Sequence, residues 1–368
     1  MKQSSLFCTA PDGVRLAYAV SGDGPPLVMS TTWVSHLGSE WRSLAWEPWL
    51  GALSADYKVL RYDPRGSGLS DRDPLDLSFE TWIRDLESVV DAAGFRQFSI
   101  LAGCQRGPAA IEYATRHPER VRKLVLFATY PLGRMRRPNR PEEAEKTRVV
   151  SDLVRVGWAQ ENDALLQIFA NAFQPGGTVE HWRSLSDQQR AATSAETAAR
   201  FLDTAWNVDV REVARKIKCP VLILHPQRDR VVPIGEGRSL VSLIPGSRFI
   251  EIDSGNHIPL VDEPAWPRLL SEVRSFLAEP ATVSSARFDE LTPRELAVLD
   301  GIAEGMDNSE LAVSLGVSEK TVRNHITRVF DKIRVKHRYE AIVLAREAGL
   351  GANSRLTRAR TGTSVPRA

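Results

Sequence analysis

A thiol, a carboxylate and an imidazole occur in this sequence where strand-like apolar runs give way to loops. Cys104 lies in the segment GCQRG at 103–107, and Asp229 and His257 each follow a later apolar run. An imidazole beside a thiol can lower the pKa of the thiol and generate the nucleophilic thiolate, and a third group can orient the imidazole. If the fold brings these three side chains together, they form a chemically competent nucleophilic site.

A second region that could carry a function lies near the C-terminus and is basic. From Lys320 onward the sequence contains twelve Lys/Arg and three Asp/Glu, although the formal net charge of the whole chain is only +2. The preceding residues are therefore net acidic. A charge asymmetry of this kind suggests contact with a nucleic acid or another polyanion.

Length and composition predict the number of domains and the compartment of the protein. A chain of 368 residues with 42% hydrophobic and 26% charged residues is expected to form two ordinary globular domains. Its three cysteines, Cys8, Cys104 and Cys219, are too few and too scattered for a disulfide framework. The sequence shows no signal peptide and no apolar run of membrane-spanning length, so we expect a cytoplasmic protein.

The first part of the chain has the pattern of an α/β fold. Two short strands are expected over residues 4–20, and short apolar runs then alternate with helix-like stretches such as 79–93 and 107–116. The apolar runs are 27–30, 57–61, 98–102, 123–127, 220–225 and 247–252. Continuous buried strands that alternate with helices predict a mostly parallel sheet. The segment 131–205 interrupts this alternation and is predicted to form a helical cap over the carboxyl ends of the strands.

The segment 291–350 predicts a compact set of helices. Thr292 is suited to cap a first helix that ends at Gly305, Asn308 a second that ends before Gly316, and Ser318 a third over 319–333. Two helices joined by a tight glycine-containing turn form a helix-turn-helix. The third helix has an apolar stripe and an opposite polar face, as recognition in the major groove requires. The polar face carries Lys320, Asn324, Thr327 and Arg328, with Arg323 on its flank.

This segment resembles the LuxR-type helix-turn-helix family. The matching residues are Leu291-Thr292-Pro293-Arg294-Glu295, Val298-Leu299, Gly305, Asn308, Glu310, Ala312, Ser318, Lys320-Thr321-Val322, His325, Lys332 and Arg338. The resemblance implies a fourth helix around 339–348 and binding to DNA as a homodimer on paired half-sites. The DNA-binding residues expected on these grounds are Ser318, Lys320, Thr321, Arg323, Asn324, Thr327, Arg328 and Lys332.

The region from about 26 to 278 resembles the α/β-hydrolase fold family, including hydrolase-like domains fused to bacterial regulators. The segment at 98–121 resembles the nucleophile elbow of that family, and two registers are open. One places Gln105 at the nucleophile position, which would abolish acyl chemistry; the other, which we favour, places Cys104 there. The resemblance further implies that Asp229 is the acid and His257 the histidine of a Cys-His-Asp triad.

On the oxyanion side the sequence departs from the enzyme pattern. The His-Gly stretch of the family is replaced by residues 30–33 (STTW), so the bulky Trp33 is expected to line a ligand pocket. The ligand-binding residues expected on these grounds are Trp33, His36, Cys104, Gln105 and His257. We expect no metal ion and no cofactor.

The sequence thus predicts a hydrolase-like sensing domain over 1–278, a linker over 279–288, a DNA-binding domain over 289–350 and a disordered tail over 351–368. The favoured function is that of a LuxR-type transcriptional regulator controlled by a small apolar or ester- or lactone-like molecule. A slow Cys-dependent ester or thioester hydrolase that also regulates is the second hypothesis. An idle scaffold is the third.

Overall fold

A computed structural model describes residues 4–30, 33–137, 141–158, 164–278, 288, 290–347 and 350–351. The chain divides into two compact units, Met1–Ala278 and Glu279–Ala368. Most of the predicted linker and all of the predicted tail beyond Gly351 lie outside the described residues, as do Thr31 and Thr32.

The first unit is built on one eight-stranded sheet in the order β1-β2-β4-β3-β5-β6-β7-β8. The first two strands form an antiparallel edge, because β1 pairs with β2 and β2 with β4 in that sense, and the remaining pairs are parallel. The strands are Leu6–Thr9, Arg15–Ser21, Pro26–Ser30, Lys58–Tyr62, Phe98–Gly103, Val121–Phe127, Val221–Pro226 and Arg248–Ile252. The predicted mostly parallel α/β fold is therefore confirmed.

Helices cover both faces of this sheet. They are α1 (Leu37–Glu40), α2 (Glu47–Ser54), α3 (Phe79–Ala92), α4 (Gly107–Arg116), α5 (Pro141–Gly157), α6 (Ala164–Phe173), α7 (Val179–Ala192), α8 (Ala195–Trp206), α9 (Arg211–Ala214), α10 (Ile234–Leu243) and α11 (Ala265–Ala278). Along β5, Ile100 packs into a core with α3 and α4, whereas Leu101 packs into a second core with α2 and α11. This alternation explains the continuous apolar runs, since a strand buried on both faces needs apolar side chains throughout.

The segment between β6 and β7 contains the helices α5 to α9, and α5 to α8 lie in the place where the sequence predicts a cap. Thr178 caps α7 and Ser194 caps α8, each through its side-chain oxygen. The inner faces of α6 and α7 supply Phe173 and Leu185 to the same core as the strand-end residue Phe127. The cap helices are thus packed against the carboxyl ends of the central strands.

The second unit contains the four helices α12 (Pro293–Glu304), α13 (Asn308–Leu315), α14 (Glu319–Ile333) and α15 (Arg338–Glu347). Gly305 and Gly316 end α12 and α13 in the left-handed conformation, which glycine adopts without a steric cost. Val322, Val329 and Ile333 of α14 are buried in the core of the unit.

One predicted cap is wrong by a residue. Asp307, not Asn308, caps α13: its carboxylate accepts from the backbone N–H of Glu310 at 2.8 Å, and Glu310 accepts from the N–H of Asp307 in return. Asn308 is the first helical residue, and its side chain accepts a hydrogen bond from Arg338 at 3.0 Å. The polar residue next to the true cap therefore joins α13 to α15.

No described helix combines the length and the apolar character that crossing a bilayer requires.

Candidate active site and DNA-binding surface

Cys104 occupies a sharp turn between β5 and α4. Its backbone φ is +47°, in the left-handed region that non-glycine residues rarely adopt. The hydroxyl of Thr129 donates to the carbonyl of Cys104 at 2.6 Å and holds the turn. At Gly107 an added Cβ would lie 2.1 Å from the Oγ1 of Thr129, so only glycine allows α4 to begin this close to β6.

A histidine and a carboxylate complete the arrangement beside Cys104. The Nδ1 of His257 donates to the Oδ2 of Asp229 at 2.7 Å, and the other carboxylate oxygen accepts from the backbone N–H groups of Val231 and Val232. His257 and Cys104 line the same cavity. All three side chains are buried, at 3%, 8% and 3% exposure for Cys104, Asp229 and His257. The residues predicted as a triad are therefore brought together.

The electrostatics of this group favour a charged imidazole. Burial lowers the pKa of His257, but the Asp229 carboxylate and the Cys104 sulfur outweigh burial and raise this pKa to about 10. On the other side of Asp229, burial lowers the pKa of His225 and keeps that ring neutral, with its Nε2 2.8 Å from the carbonyl of Val232. The site thus places an imidazolium, a carboxylate and a cysteine sulfur out of bulk water.

A cavity lies over Cys104, between the strand ends and the cap. Only about 20 Å³ of it can hold the centre of a water molecule, which is room for about one water. Its walls are mostly apolar, with two glutamine amides from the cap. The lining residues are Trp33, Val34, Trp46, Gly103, Cys104, Phe127, Phe173, Leu185, Gln188, Gln189, His257 and Ile258.

Three of the five residues predicted to bind a ligand line this cavity, namely Trp33, Cys104 and His257. His36 does not line it, because its ring caps α1 by accepting from the N–H of Gly38 at 3.2 Å. Gln105 is buried but is also absent from the cavity wall, so of the two elbow residues only Cys104 lines the cavity together with His257.

The sequence did not single out the cap residues Gln188 and Gln189. Both lie in α7 within a run that reads as a solvated helix face (residues 186–190, SDQQR), yet both are buried. Only the packing of α7 over the sheet shows which of its polar residues face inward. No local signal identifies them.

Arg106, two residues after Cys104, is a buried arginine that contacts two aromatic rings. It is 2% exposed, and its guanidinium lies over the rings of Trp82 at 4.9 Å and Phe201 at 4.5 Å. It also donates to the backbone carbonyl of Trp33 at 3.0 Å. Since Phe201 belongs to cap helix α8, Arg106 connects the elbow with both the Trp33 loop and the cap. The sequence does not indicate this stack, because the two rings come from α3 and α8.

In the second unit, Lys320, Arg323, Asn324, Thr327 and Arg328 are exposed on α14. Ser318 caps this helix by accepting from the N–H of Thr321, whose side chain is half-buried. Lys332 is placed differently, since its ammonium donates to the Glu295 carboxylate at 2.7 Å and to the carbonyl of Glu290 at 2.9 Å. Its interactions therefore hold α14 against the start of α12.

Comparison with known proteins gives the class of both units. The family model described as "alpha/beta hydrolase fold" matches residues 25–264, and the one described as "Bacterial regulatory proteins, luxR family" matches residues 289–345. The protein is thus a hydrolase-fold domain joined to a LuxR-type helix-turn-helix domain, as the sequence indicated. The chain belongs to the alpha/beta hydrolase fold family, and its LuxR-type domain supports a DNA-binding transcription regulator.

Similar proteins cover the first unit. The chain is 25% identical over 267 residues to a pyrrolizixenacetamide deacetylase of Xenorhabdus hominickii, covering 72% of this chain and 94% of that protein. It is 27% identical over 259 residues to the non-heme chloroperoxidase CPO-A1 of Kitasatospora aureofaciens, covering 68% and 91%. The crystal structure of the esterase RhEst1 from Rhodococcus sp. ECU1013 matches with a TM-score of 0.61 and 26% identity, covering 75% of this chain and 99% of that one.

The raised pKa of His257 leads to a test by NMR. In the folded protein the ring is expected to stay protonated until the pH approaches about 10, whereas the ordinary value is 6.5. The stabilisation from this pair is therefore fully present below pH 6.5 and is lost as the pH rises through about 10. Titration of ¹⁵N-labelled imidazole should show this shift in the wild type and a lower midpoint in Asp229→Asn. A wild-type midpoint near 6.5 would contradict the arrangement.

Proposed function

We propose that this protein is a LuxR-type transcriptional regulator whose DNA binding is controlled by a small molecule held in the cavity over Cys104. The observation that carries the proposal is a Cys104–His257–Asp229 arrangement beneath a helical cap, in a chain that also carries a DNA-binding domain. An enzyme gains little from being tethered to a promoter, whereas a sensor requires that connection. We expect the ligand to be apolar or ester- or lactone-like, and the protein to act in the cytoplasm as a homodimer.

The contacts of the cap provide a route from ligand to structural change. Since the cavity has room for about one water, a larger ligand enters only if the cap shifts. The cap is hydrogen-bonded to the histidine loop: the carbonyl of Phe173 accepts from the N–H of His257 at 2.8 Å, and the N–H of Gly176 donates to Asn256 at 2.8 Å. A ligand that displaces α6 and α7 therefore also displaces the loop that carries His257.

The second candidate is slow hydrolysis of an ester or thioester, and the left-handed Cys104 backbone favours it. In this mechanism the Cys104 sulfur attacks the acyl carbon, and His257 transfers its proton to the leaving alcohol or thiol. The neutral imidazole then takes a proton from water as the water attacks the thioester, which releases the acid and restores the thiolate. The backbone N–H of Gln105, which follows the nucleophile, would stabilise the oxyanion. A cavity this narrow makes the second step slow, because it admits little water.

One set of measurements separates sensing from turnover. We expect a member of a panel of small lactones, esters and thioesters to change the affinity of the full-length protein for pooled genomic DNA by about fivefold or more without being consumed. DNA binding and hydrolysis are followed in the same samples, with Cys104→Ala as the control. If a compound is consumed only when Cys104 is present, and the DNA affinity changes as that compound is depleted, the hydrolase hypothesis is favoured. A compound that binds and leaves DNA affinity unchanged would contradict control by ligand and favour a scaffold.

The exposed face of α14 predicts how DNA is bound. Lys320→Ala is expected to weaken DNA binding by about tenfold and to lower the salt dependence by about one counterion, because one phosphate contact is lost. Lys216→Ala removes the same charge from an exposed position in the first unit and serves as the matched control. Affinities are measured by fluorescence anisotropy at several salt concentrations. Equal loss in both variants would contradict a specific role for α14.

A further inference from the structure

Two residues that line the cavity over Cys104 each carry a buried polar atom without a hydrogen-bond partner. Gln189 is 3% exposed and Trp33 is 4% exposed, and both line this cavity. Among the residues that the structure describes, nothing pairs with the Oε1 of Gln189 or the Nε1 of Trp33. A buried polar atom without a partner is destabilising and is rare in folded proteins. A bound molecule that pairs with both atoms would remove this cost.

The neighbouring glutamine of α7 differs, because its side-chain oxygen has a hydrogen-bond donor. Gln188 lines the same cavity, and its Oε1 accepts from the hydroxyl of Ser43 at 2.9 Å. Gln189 follows it in α7 and presents an equivalent oxygen with no equivalent donor. The two glutamines therefore differ in what they contact, although their residue type and burial are the same.

We infer that the cavity selects a neutral acyl compound that carries an amide N–H, which donates to Gln189, and a carbonyl, which accepts from Trp33. Its ester or thioester carbon would lie at Cys104. The inference rests on the proposed function, since it assumes that this cavity binds a small molecule. A free carboxylate does not match Gln189, because two acceptor oxygens would face each other.

The test uses three compounds that differ at one position. Methyl N-acetylglycinate has N–H where methyl acetoxyacetate has oxygen and methyl 4-oxopentanoate has CH₂, and all three keep the same methyl ester and acetyl carbonyl. Binding to full-length Cys104→Ala, which cannot turn the ester over, is measured by calorimetry. We expect the N–H compound to bind about tenfold more tightly than the other two. In Cys104→Ala/Gln189→Met the three affinities should become equal.

Stability measurements distinguish a ligand contact from a structural role. Gln189→Met removes an unpaired buried oxygen, so the unliganded protein should keep its Tm or gain stability. Gln188→Met is the matched control: it leaves the Ser43 hydroxyl without its acceptor and should lower the Tm. That variant should nevertheless keep the preference for the N–H compound.

Each outcome bears on the inference. Equal binding of the three compounds to Cys104→Ala would overturn it and leave the proposed function standing, and so would a preference that survives Gln189→Met. Binding of none of them would also overturn it. The lactone, ester and thioester panel would then decide the proposed function separately.

Discussion

The turn at Cys104 requires a backbone conformation that a cysteine adopts only under constraint. A non-glycine residue in the left-handed region costs about 1–3 kcal/mol, and the surroundings must supply that energy. Here the Thr129 hydroxyl binds the Cys104 carbonyl at 2.6 Å, and Gly107 lets α4 start in contact with Thr129. Because β5 and β6 are parallel neighbours, this turn and Thr129 emerge at the same edge of the sheet. The position of the sulfur therefore depends on the sheet, and His257 and the cap are arranged around it.

Contacts join the cap to the site both at the histidine loop and at the elbow. Phe173 accepts from the backbone of His257, and Phe201 stacks on Arg106, which in turn binds the Trp33 carbonyl. In this chain the elbow of a hydrolase fold therefore includes an arginine, Arg106, that contacts the cap. This connection is compatible with slow hydrolysis. It suits a sensor better, since a molecule that binds over Cys104 would act on both contacts.

Much of this organisation is predictable from the sequence, because it depends on local pattern. Continuous apolar runs located six of the eight strands to within a few residues, and the other two lie in or next to the range 4–20 predicted for them. Thr292, Gly305, Gly316 and Ser318 marked helix ends of the second unit. The acid and the histidine were recognisable from their loops.

The features that were missed depend on tertiary contacts. Whether Gln189 faces solvent or the cavity is decided by how α7 packs, and the stacking of Arg106 needs rings from α3 and α8. His36 was predicted to bind the ligand, but its ring caps α1 and accepts from the N–H of Gly38. Asp307 and Asn308 are both good capping residues, so the sequence alone does not decide which of them caps α13.

Occupying the cavity covalently tests the central claim without knowledge of the ligand. In a Cys8→Ser/Cys219→Ser background, Cys104 is the one cysteine left for iodoacetamide to modify, and mass spectrometry gives the modified fraction and its position. If the cavity controls the LuxR-type domain, full modification should change DNA affinity by about fivefold or more, and the same treatment of a Cys104→Ala variant should have no effect. Complete modification of Cys104 with unchanged DNA affinity would contradict the claim.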